Sequence, residues 1–252
     1  ATAKELISNK EIATNTGNKP FIILMSATIN YMKFMKYFSA KSNQFFHVTG
    51  QSYPIEVKFL ESPVFDYLEH CKTIVLKLLE KKHNDKHPDD ALIFLPGSKQ
   101  IQELQKLLED NQVGEVIELT GTTVRRRTPD VSSLERGEQL KKPRIILATN
   151  VAETGVTITT LRHVIDTGFV KNVEYDPILD ATIVIDRNVT QSMAIQRQGR
   201  AGRLFPGISR PTYTKKAFES FPERKEPSAT IEDNSRDILA LLNLGVSLNV
   251  DN

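Results

Sequence analysis

Four polar side chains that can bind phosphate lie within eight residues near the end of the chain. They are Gln196, Arg197, Arg200 and Arg203, and the arginines are separated by small residues that predict a closely packed helix. A guanidinium group carries a fixed charge and matches two phosphate oxygens at once. An arginine placed across a cleft from a nucleoside triphosphate stabilises the charge that develops on the γ-phosphate. A solvated basic helix face is the alternative, but the order Gln-Arg-x-Gly-Arg-x-Gly-Arg favours phosphate chemistry.

An alternation of short apolar strands and amphipathic helices must position these side chains. Strands are predicted at 91–95, 115–119, 144–148 and 163–166, and a helix at 100–110. This rhythm indicates a mostly parallel sheet with helices on both faces. Upstream of it we predict a buried strand at 21–25, a helix at 31–38, strands at 45–49 and 55–60, and a helix with an apolar stripe from Val64 to Leu78.

Residues 172–187 predict a β-hairpin just before the arginine-rich segment. Two apolar runs, 173–175 and 182–185, flank a turn that contains Asp176, Pro177 and Asp180. The hairpin could be an ordinary surface feature or could act on a nucleic acid. The tail from residue 221 predicts one more helix, around 237–244.

The composition is that of an ordinary globular protein, with 39% hydrophobic and 25% charged residues. The net charge of +2 means that any nucleic-acid contact must come from local placement of charge. Cys71 is the only cysteine, which excludes an internal disulfide and a cysteine-rich zinc site, and we predict no metal ligands. Because no membrane span or signal peptide is evident, we expect an intracellular protein, cytoplasmic, nuclear or carried in a virion, with no membrane partner.

Several segments resemble, in order, the motifs of superfamily 2 helicases of the DEAH/RHA-like (DExH) branch. The arginine-rich segment 195–203 resembles motif VI, and Ser26-Ala27-Thr28 resembles motif III. Residues 91–98 resemble motif IV, and residues 148–158 resemble motif V of this branch and of poxvirus-type viral helicases. Residues 50–55 are similar to the linker between the two motor domains. Four ordered motifs are very improbable by chance.

The resemblance implies an α/β fold: a RecA-like, mostly parallel sheet with helices on both faces and a β-hairpin inserted before the last helix of the motor. Residues 1–50 would be the tail of the first RecA-like domain. Residues 51–220 would be the second RecA-like, helicase C-terminal domain. Residues 221–252 would begin a truncated, winged-helix-like C-terminal region.

The resemblance also implies ATP, or another NTP, with Mg²⁺ as the bound nucleotide, held mainly by the first domain. That domain's phosphate loop and its DExH segment do not occur in these 252 residues. We therefore expect an NTP-dependent helicase whose 252 residues alone hydrolyse no NTP. The expected partners are single-stranded RNA or DNA and the first RecA-like domain.

Roles for individual residues follow from the resemblance. Gln196, Arg200 and Arg203 would be catalytic. Arg197 and Gly155 would bind nucleotide, although Arg197 could instead make an ion pair and Gly155 could serve a positive-φ turn. The predicted nucleic-acid contacts are Gly97, Ser98, Thr149, Asn150 and Thr157, with a plain helix cap as the alternative for Ser98. The predicted coupling residues are Ser26, Thr28 and Glu153.

Two departures favour a viral or divergent member of the branch. Segment 209–213 stands where DEAH proteins usually carry a tyrosine-arginine-leucine-tyrosine run, and Gly155 stands where the cellular branch more often has serine. A non-hydrolysing nucleic-acid-binding or regulatory module with the same fold remains an alternative, as does a translocase that moves on duplex without unwinding it.

Overall fold

The computed structural model describes residues 23–25, 31–41, 44–46, 53–80, 89–113, 115–137, 143–153, 155–176, 178–225 and 233–243. The chain divides into two compact units. One unit comprises residues 51–233, and the other comprises residues 1–50 together with 234–252. Phe221 is buried in the core of the larger unit beside Tyr213. The assignment of the flanking pieces to neighbouring domains stays a prediction.

The larger unit is built on a sheet of six parallel strands. In chain order the eight described strands are β1 Ile55–Val57, β2 Asp90–Phe94, β3 Val116–Leu119, β4 Ile145–Ala148, β5 Leu161–Asp166, β6 Phe169–Asp176, β7 Ala181–Asn188 and β8 Gly207–Pro211. The sheet has the order β1-β8-β5-β2-β4-β3, and every neighbouring pair is parallel. Strands β6 and β7 form a separate antiparallel hairpin.

Helices of the larger unit cover both faces of this sheet. The described α-helices are α1 Tyr31–Phe38, α2 Tyr67–Leu79, α3 Ser98–Glu109, α4 Gly121–Arg126, α5 Pro129–Arg136, α6 Gln191–Gln198, α7 Lys215–Ser220 and α8 Ser235–Asn243. The smaller unit contributes α1 and α8, and all the other helices belong to the larger one. The predicted RecA-like α/β class with an inserted hairpin is confirmed.

The central strands are apolar along their whole length because both of their faces are covered. Ile93 of β2 packs with Cys71 and Val75 of α2 and with Leu104 of α3. Its neighbour Leu92 points to the opposite face, in a core that includes Val131 and Leu134 of α5. The alternation of strand side chains between two cores therefore accounts for the layered arrangement.

Two of the predicted strands are absent from the described residues. Residues 23–25 form no strand and their side chains are exposed, and Phe45 and Phe46 form none either. No described strand pairs with these segments, so their apolar residues gain no sheet neighbour. Residues 21–22 and 47–49 lie outside the described part. The strand predicted at 55–60 is shorter, at Ile55–Val57, with an isolated bridge between Leu60 and Thr214.

Candidate functional site

The arginine-rich segment is a short helix followed by a tight loop, not one continuous helix as predicted. Thr190 caps the start of α6 by accepting a hydrogen bond from the amide of Met193. The helix ends at Gln198, so Arg200 and Arg203 lie in the loop beyond it. Gly202 has a φ of +72°, and a Cβ there would lie 2.8 Å from the carbonyl oxygen of Tyr53. A glycine at position 202 therefore allows the loop to pack closely against the start of β1.

Arg197 is completely buried, and its guanidinium group makes two ion pairs. Its Nη1 donates to Asp166 Oδ1 at 2.7 Å, and its Nε donates to Glu153 Oε1 at 2.8 Å. The group also lies 4.9 Å from the ring centroid of Phe94. Burial alone would lower the pKa of Arg197, but the carboxylates of Asp166 and Glu153 raise it above its usual value. Of the two roles open from the sequence, the ion pair is the one that the structure contains.

Arg200 and Arg203 form a pair of like charges in the loop. Arg200 is half-buried, and its Nη1 donates to the carbonyl oxygen of Val156 at 3.1 Å. Burial and then the neighbouring charge of Arg203 lower the pKa of Arg200, while Glu153 opposes that shift. Within the described residues, no carboxylate forms an ion pair with either arginine. Two cations held close together without such a partner form a site suited to an anion.

Glu153 joins motif V to motif VI. It ends a one-turn 3-10 helix, Asn150–Glu153, that follows β4, and it accepts the hydrogen bond from Arg197. Burial raises the pKa of Glu153, and the charge of Arg197 opposes the rise. The residue thus connects the turn after β4 to α6 directly.

Close packing, and not a positive φ, is the reason that position 155 requires a glycine. Its φ lies outside the left-handed region, and a Cβ would lie 2.7 Å from the carbonyl oxygen of Val151. The positive-φ alternative is therefore wrong. The amide of Gly155 donates to that same carbonyl at 2.8 Å, which closes the turn. Gln196 lies on α6 and is partly exposed, while Ser26 and Thr28 lie outside the described residues.

The predicted nucleic-acid contacts follow two neighbouring strands. Gly97 and Ser98 follow β2, and Thr149 and Asn150 follow β4, which pairs with β2 in parallel. The two groups therefore lie at the same edge of the sheet. The exposed Thr157 lies farther along the loop after β4.

Gly97, not Ser98, is the N-cap of α3. Gly97 makes no side-chain cap, and Ser98 is the exposed first residue of the helix. The cap alternative for Ser98 is therefore wrong. A Cβ at Gly97 would lie 2.5 Å from Lys171 Cε, so the base of the hairpin packs against the start of this helix.

The hairpin is longer than predicted and exposes an apolar tip. β6 and β7 pair along their whole length, from Phe169 opposite Asn188 to Asp176 opposite Ala181. Asp176 Oδ1 accepts hydrogen bonds from the amides of Ile178 and Leu179, which orders the turn. Ile178 is 93% exposed and Leu179 is 65% exposed.

Sequence reasoning missed Asp166, the last residue of β5. Its carboxylate is completely buried and accepts hydrogen bonds from Arg197, the amide of Gly168 and the hydroxyl of Tyr213. The signal was available: an aspartate ends a buried apolar strand and a glycine follows two residues later. The side chains that Asp166 contacts are 31 and 47 residues away in sequence, so spacing alone could not identify them.

The parallel sheet with helices on both faces and the separate antiparallel hairpin define a RecA-like α/β domain. Residues 71–205 match the family described as the helicase conserved C-terminal domain. The chain belongs to this family, and its relatives place it in the DEAH/RHA branch.

Relatives and solved structures of this branch align with most of the chain. The pre-mRNA-splicing factor ATP-dependent RNA helicase DEAH10 of Arabidopsis thaliana is 30% identical over 89% of this chain and 31% of its own length. A putative RNA helicase of African swine fever virus is 32% identical over 88% of this chain and 26% of its own. The crystal structure of the Escherichia coli DEAH/RHA helicase HrpB superposes with a TM-score of 0.78 at 27% identity, covering 95% of this chain and 30% of that one. The chain thus spans about a third or less of the proteins it matches.

No helix among the described residues is long and apolar enough to cross a membrane. In the same part of the chain, no group of three His, Cys, Asp or Glu side chains is placed to hold a metal ion.

Proposed function

We propose that this chain is the second motor domain of an NTP-dependent RNA helicase, in which Arg200 and Arg203 act on the γ-phosphate of a nucleotide bound by a first motor domain. Residues 1–50 would complete that first domain, and residues 221–252 would begin a winged-helix-like region. DNA is the less favoured substrate, because the named relatives are RNA helicases.

The arginine pair is the observation that carries this proposal. Two guanidinium groups without a carboxylate partner repel one another, and bound phosphate would relieve that repulsion. The loop that holds them is fixed by Gly202 at one point and by the hydrogen bond from Arg200 to Val156 at another. A fixed loop presents its donors without reorganisation when charge develops on the phosphate.

The residues of this chain fit the phosphate end of a nucleotide. Arg200 and Arg203 would hold the γ-phosphate, and Gln196 would orient the attacking water. The backbone around Gly155 would approach a phosphate oxygen. Mg²⁺, when bound, offsets phosphate charge, and we assign its ligands to the first motor domain. Arg197 has a different task, since its side chain is buried and holds α6 to Asp166 and Glu153.

A single strand would follow the edge of the sheet where β2 and β4 end. Gly97, Ser98, Thr149, Asn150 and Thr157 offer hydroxyl, amide and backbone donors, which are suited to the sugar-phosphate backbone rather than to bases. Glu153, Ser26 and Thr28 would couple nucleotide state to this path. The proposal includes an intracellular location, in the cytoplasm, the nucleus or a virion, which the splicing and viral relatives support.

The test is RNA-stimulated ATP turnover by the helicase that contains both motor domains. Arg200→Ala and Arg203→Ala should each lower kcat on the order of 10³-fold, the usual loss for an arginine that stabilises phosphoryl transfer. Arg224→Ala, which removes an exposed arginine outside the site, is the control and should leave kcat near that of wild type. Near-normal kcat in both site variants would contradict the proposal.

A further inference from the structure

The root of the hairpin is built on one buried carboxylate. The hairpin begins after the turn Asp166-Thr167-Gly168, in which Gly168 has a φ of +79° and its amide donates to Asp166 Oδ1 at 3.0 Å. The carbonyl of Gly168 accepts the amide of Val189, just after the second strand, at 2.8 Å. Both strands of the hairpin are therefore tied to the turn that Asp166 organises.

The same carboxylate holds the helix that carries the arginine loop. Arg197 Nη1 donates to Asp166 Oδ1 at 2.7 Å and to the carbonyl oxygen of Phe169, the first hairpin residue, at 3.2 Å. The carbonyl of Arg197 in turn accepts the amide of Arg200 at 3.1 Å. A continuous chain of contacts thus runs from the hairpin root through Asp166 and Arg197 to Arg200.

Tyr213, two residues beyond the end of β8, completes this cluster. Its hydroxyl donates to Asp166 Oδ2 at 2.8 Å, so the carboxylate uses both of its oxygens. Its ring packs on Gly168, where a Cβ would lie 2.7 Å from Tyr213 Cδ1. These three hydrogen bonds hold the carboxylate of Asp166 in one orientation. A shift of the hairpin root or of α6 would therefore break a buried hydrogen bond.

We propose that Asp166 is a positioning residue that couples strand separation by the hairpin to nucleotide turnover at the arginine loop. This inference rests on the proposed function, because it requires that the hairpin separates strands and that the arginines act on the nucleotide. Asp166 touches neither nucleotide nor RNA, and it acts through Arg197 on one side and through Gly168 on the other. Two sites are coupled only when both of them influence the position of the same structural element. The turn and helix that Asp166 joins are the element proposed for this role.

A second buried pair in the same sheet supplies a matched control. Asp90 accepts hydrogen bonds from Arg144 Nη2 at 2.7 Å and Nε at 3.0 Å, and both side chains are buried. This pair lies at the start of β2 and contacts neither the hairpin nor α6. Arg144 has no other carboxylate partner among the described residues, whereas Arg197 keeps Glu153 when Asp166 is changed. D90N should therefore lower the melting temperature at least as much as D166N.

The experiment measures duplex unwound per ATP hydrolysed by the helicase with both motor domains. D166N should lower this ratio about tenfold, within the usual range for coupling between two sites, and D90N should leave it within about twofold of wild type. Equal ratios in D166N and D90N would show that Asp166 only stabilises the fold. If wild type hydrolyses no ATP or separates no duplex, the proposed function fails, which is a different result.

Hydrogen exchange gives a second readout on the same protein. A nucleotide transition-state analogue should change the exchange of wild-type amides both in the arginine loop and at the hairpin root. In D166N the change at the loop should remain and the change at the root should disappear. Y213F, which keeps the carboxylate, covers the case in which D166N does not fold: its ratio should fall about threefold, and an unchanged ratio would overturn the inference.

Discussion

Arg200 Nη1 lies 3.1 Å from the carbonyl oxygen of Val156, so the loop after α6 is joined to the loop after β4 by a side-chain contact. These two loops carry the segments that resemble motifs VI and V. Glu153 and Arg197 make a second connection between the same segments at 2.8 Å. The candidate nucleotide site is thus one connected surface rather than two separate loops.

The 252-residue chain alone should hydrolyse no ATP above background, even with saturating RNA. The phosphate loop and the DExH segment that bind nucleotide in this family do not occur in its sequence. A phosphate-release assay with the purified chain measures this directly, and the helicase with both motor domains is the positive control. Turnover comparable to that of the positive control would mean that this chain binds and hydrolyses nucleotide by itself.

Shortening the hairpin should reduce duplex separation and leave RNA-stimulated ATP turnover largely intact. The variant replaces residues 176–181 by Asn-Gly, a two-residue turn that keeps Tyr175 opposite Thr182 and so preserves the register of the strands. The tip projects the exposed Ile178 and Leu179 and is remote in sequence from the arginine loop. Strand displacement and ATPase rates are measured on the same preparation.

A double substitution of the tip, Ile178→Ser with Leu179→Ser, separates apolar character from hairpin length. If only the shortened variant fails to unwind, length is the property that matters. A parallel fall of ATPase and unwinding in the shortened variant would instead assign the hairpin a structural role.

Gly202→Ala should lower the free energy of unfolding by about 1–3 kcal/mol, the usual cost of a strained positive-φ residue. The new Cβ would also meet Tyr53 O and Ile55 Cγ1, at 2.8 and 2.7 Å. Gly121→Ala is the matched control, since nothing lies within 4 Å of its Cβ position, and it should change stability by less than about 1 kcal/mol. Chemical denaturation measures the free energy of unfolding of both variants. If the two variants were equally stable, the loop would have relaxed around the new methyl group.

Stability should fall as pH drops below the usual His value of 6.5, because His163 is held neutral in the fold. Burial lowers the pKa of His163, its hydrogen bond to Asp89 opposes this, and the charges of Arg210 and Arg162 lower it. The unfolded chain then binds a proton that the folded chain does not, so stability is complete above pH 6.5 and is lost as pH falls through the lowered value.

The measurement is the free energy of unfolding between pH 7.5 and pH 5. His163→Gln should flatten the slope over this interval. His70→Gln is the comparison, because the pKa of His70 is also lowered by burial but its side chain is less enclosed. The same slope in wild type and His163→Gln would mean that His163 does not contribute to the pH dependence.

Strands β2 to β5 were predictable because each is a short, mostly apolar run that ends in a polar turn, whereas β8, which contains Ser209 and Arg210, was not predicted. Ile145–Ala148 and Leu161–Asp166 lie within two residues of their predicted bounds. The end of α6 at Gln198 was not predicted, since Gly199 and Gly202 permit either a helix or a turn until Tyr53 and Ile55 pack against the loop. The burial of Arg197 could not be predicted from the sequence either, because its partners Glu153 and Asp166 are 44 and 31 residues away. Local pattern therefore predicts elements, and only the fold shows which charged side chains face inward.

Arg203→Lys should remain strongly impaired in ATP turnover although the charge is kept. Lysine loses the planar fork that donates two hydrogen bonds to phosphate oxygens. An arginine that acts on developing charge lowers the activation barrier, so its loss should reduce kcat far more than it weakens binding of ground-state nucleotide. We therefore expect a loss of kcat on the order of 10²-fold or more, with a nucleotide Kd close to that of wild type.

The competing role for Arg203 is to hold the loop in place, in which case stability and activity would fall together. Paired measurements of kcat and melting temperature on Arg203→Lys, Arg203→Ala and Arg224→Ala distinguish the two roles. Within the described residues, Arg203 makes no ion pair with a carboxylate. The melting temperatures of the Arg203 variants should therefore match that of the Arg224→Ala control. Catalysis lost at an unchanged melting temperature supports the catalytic role, and a melting temperature that falls in step with kcat would assign Arg203 to the framework of the loop.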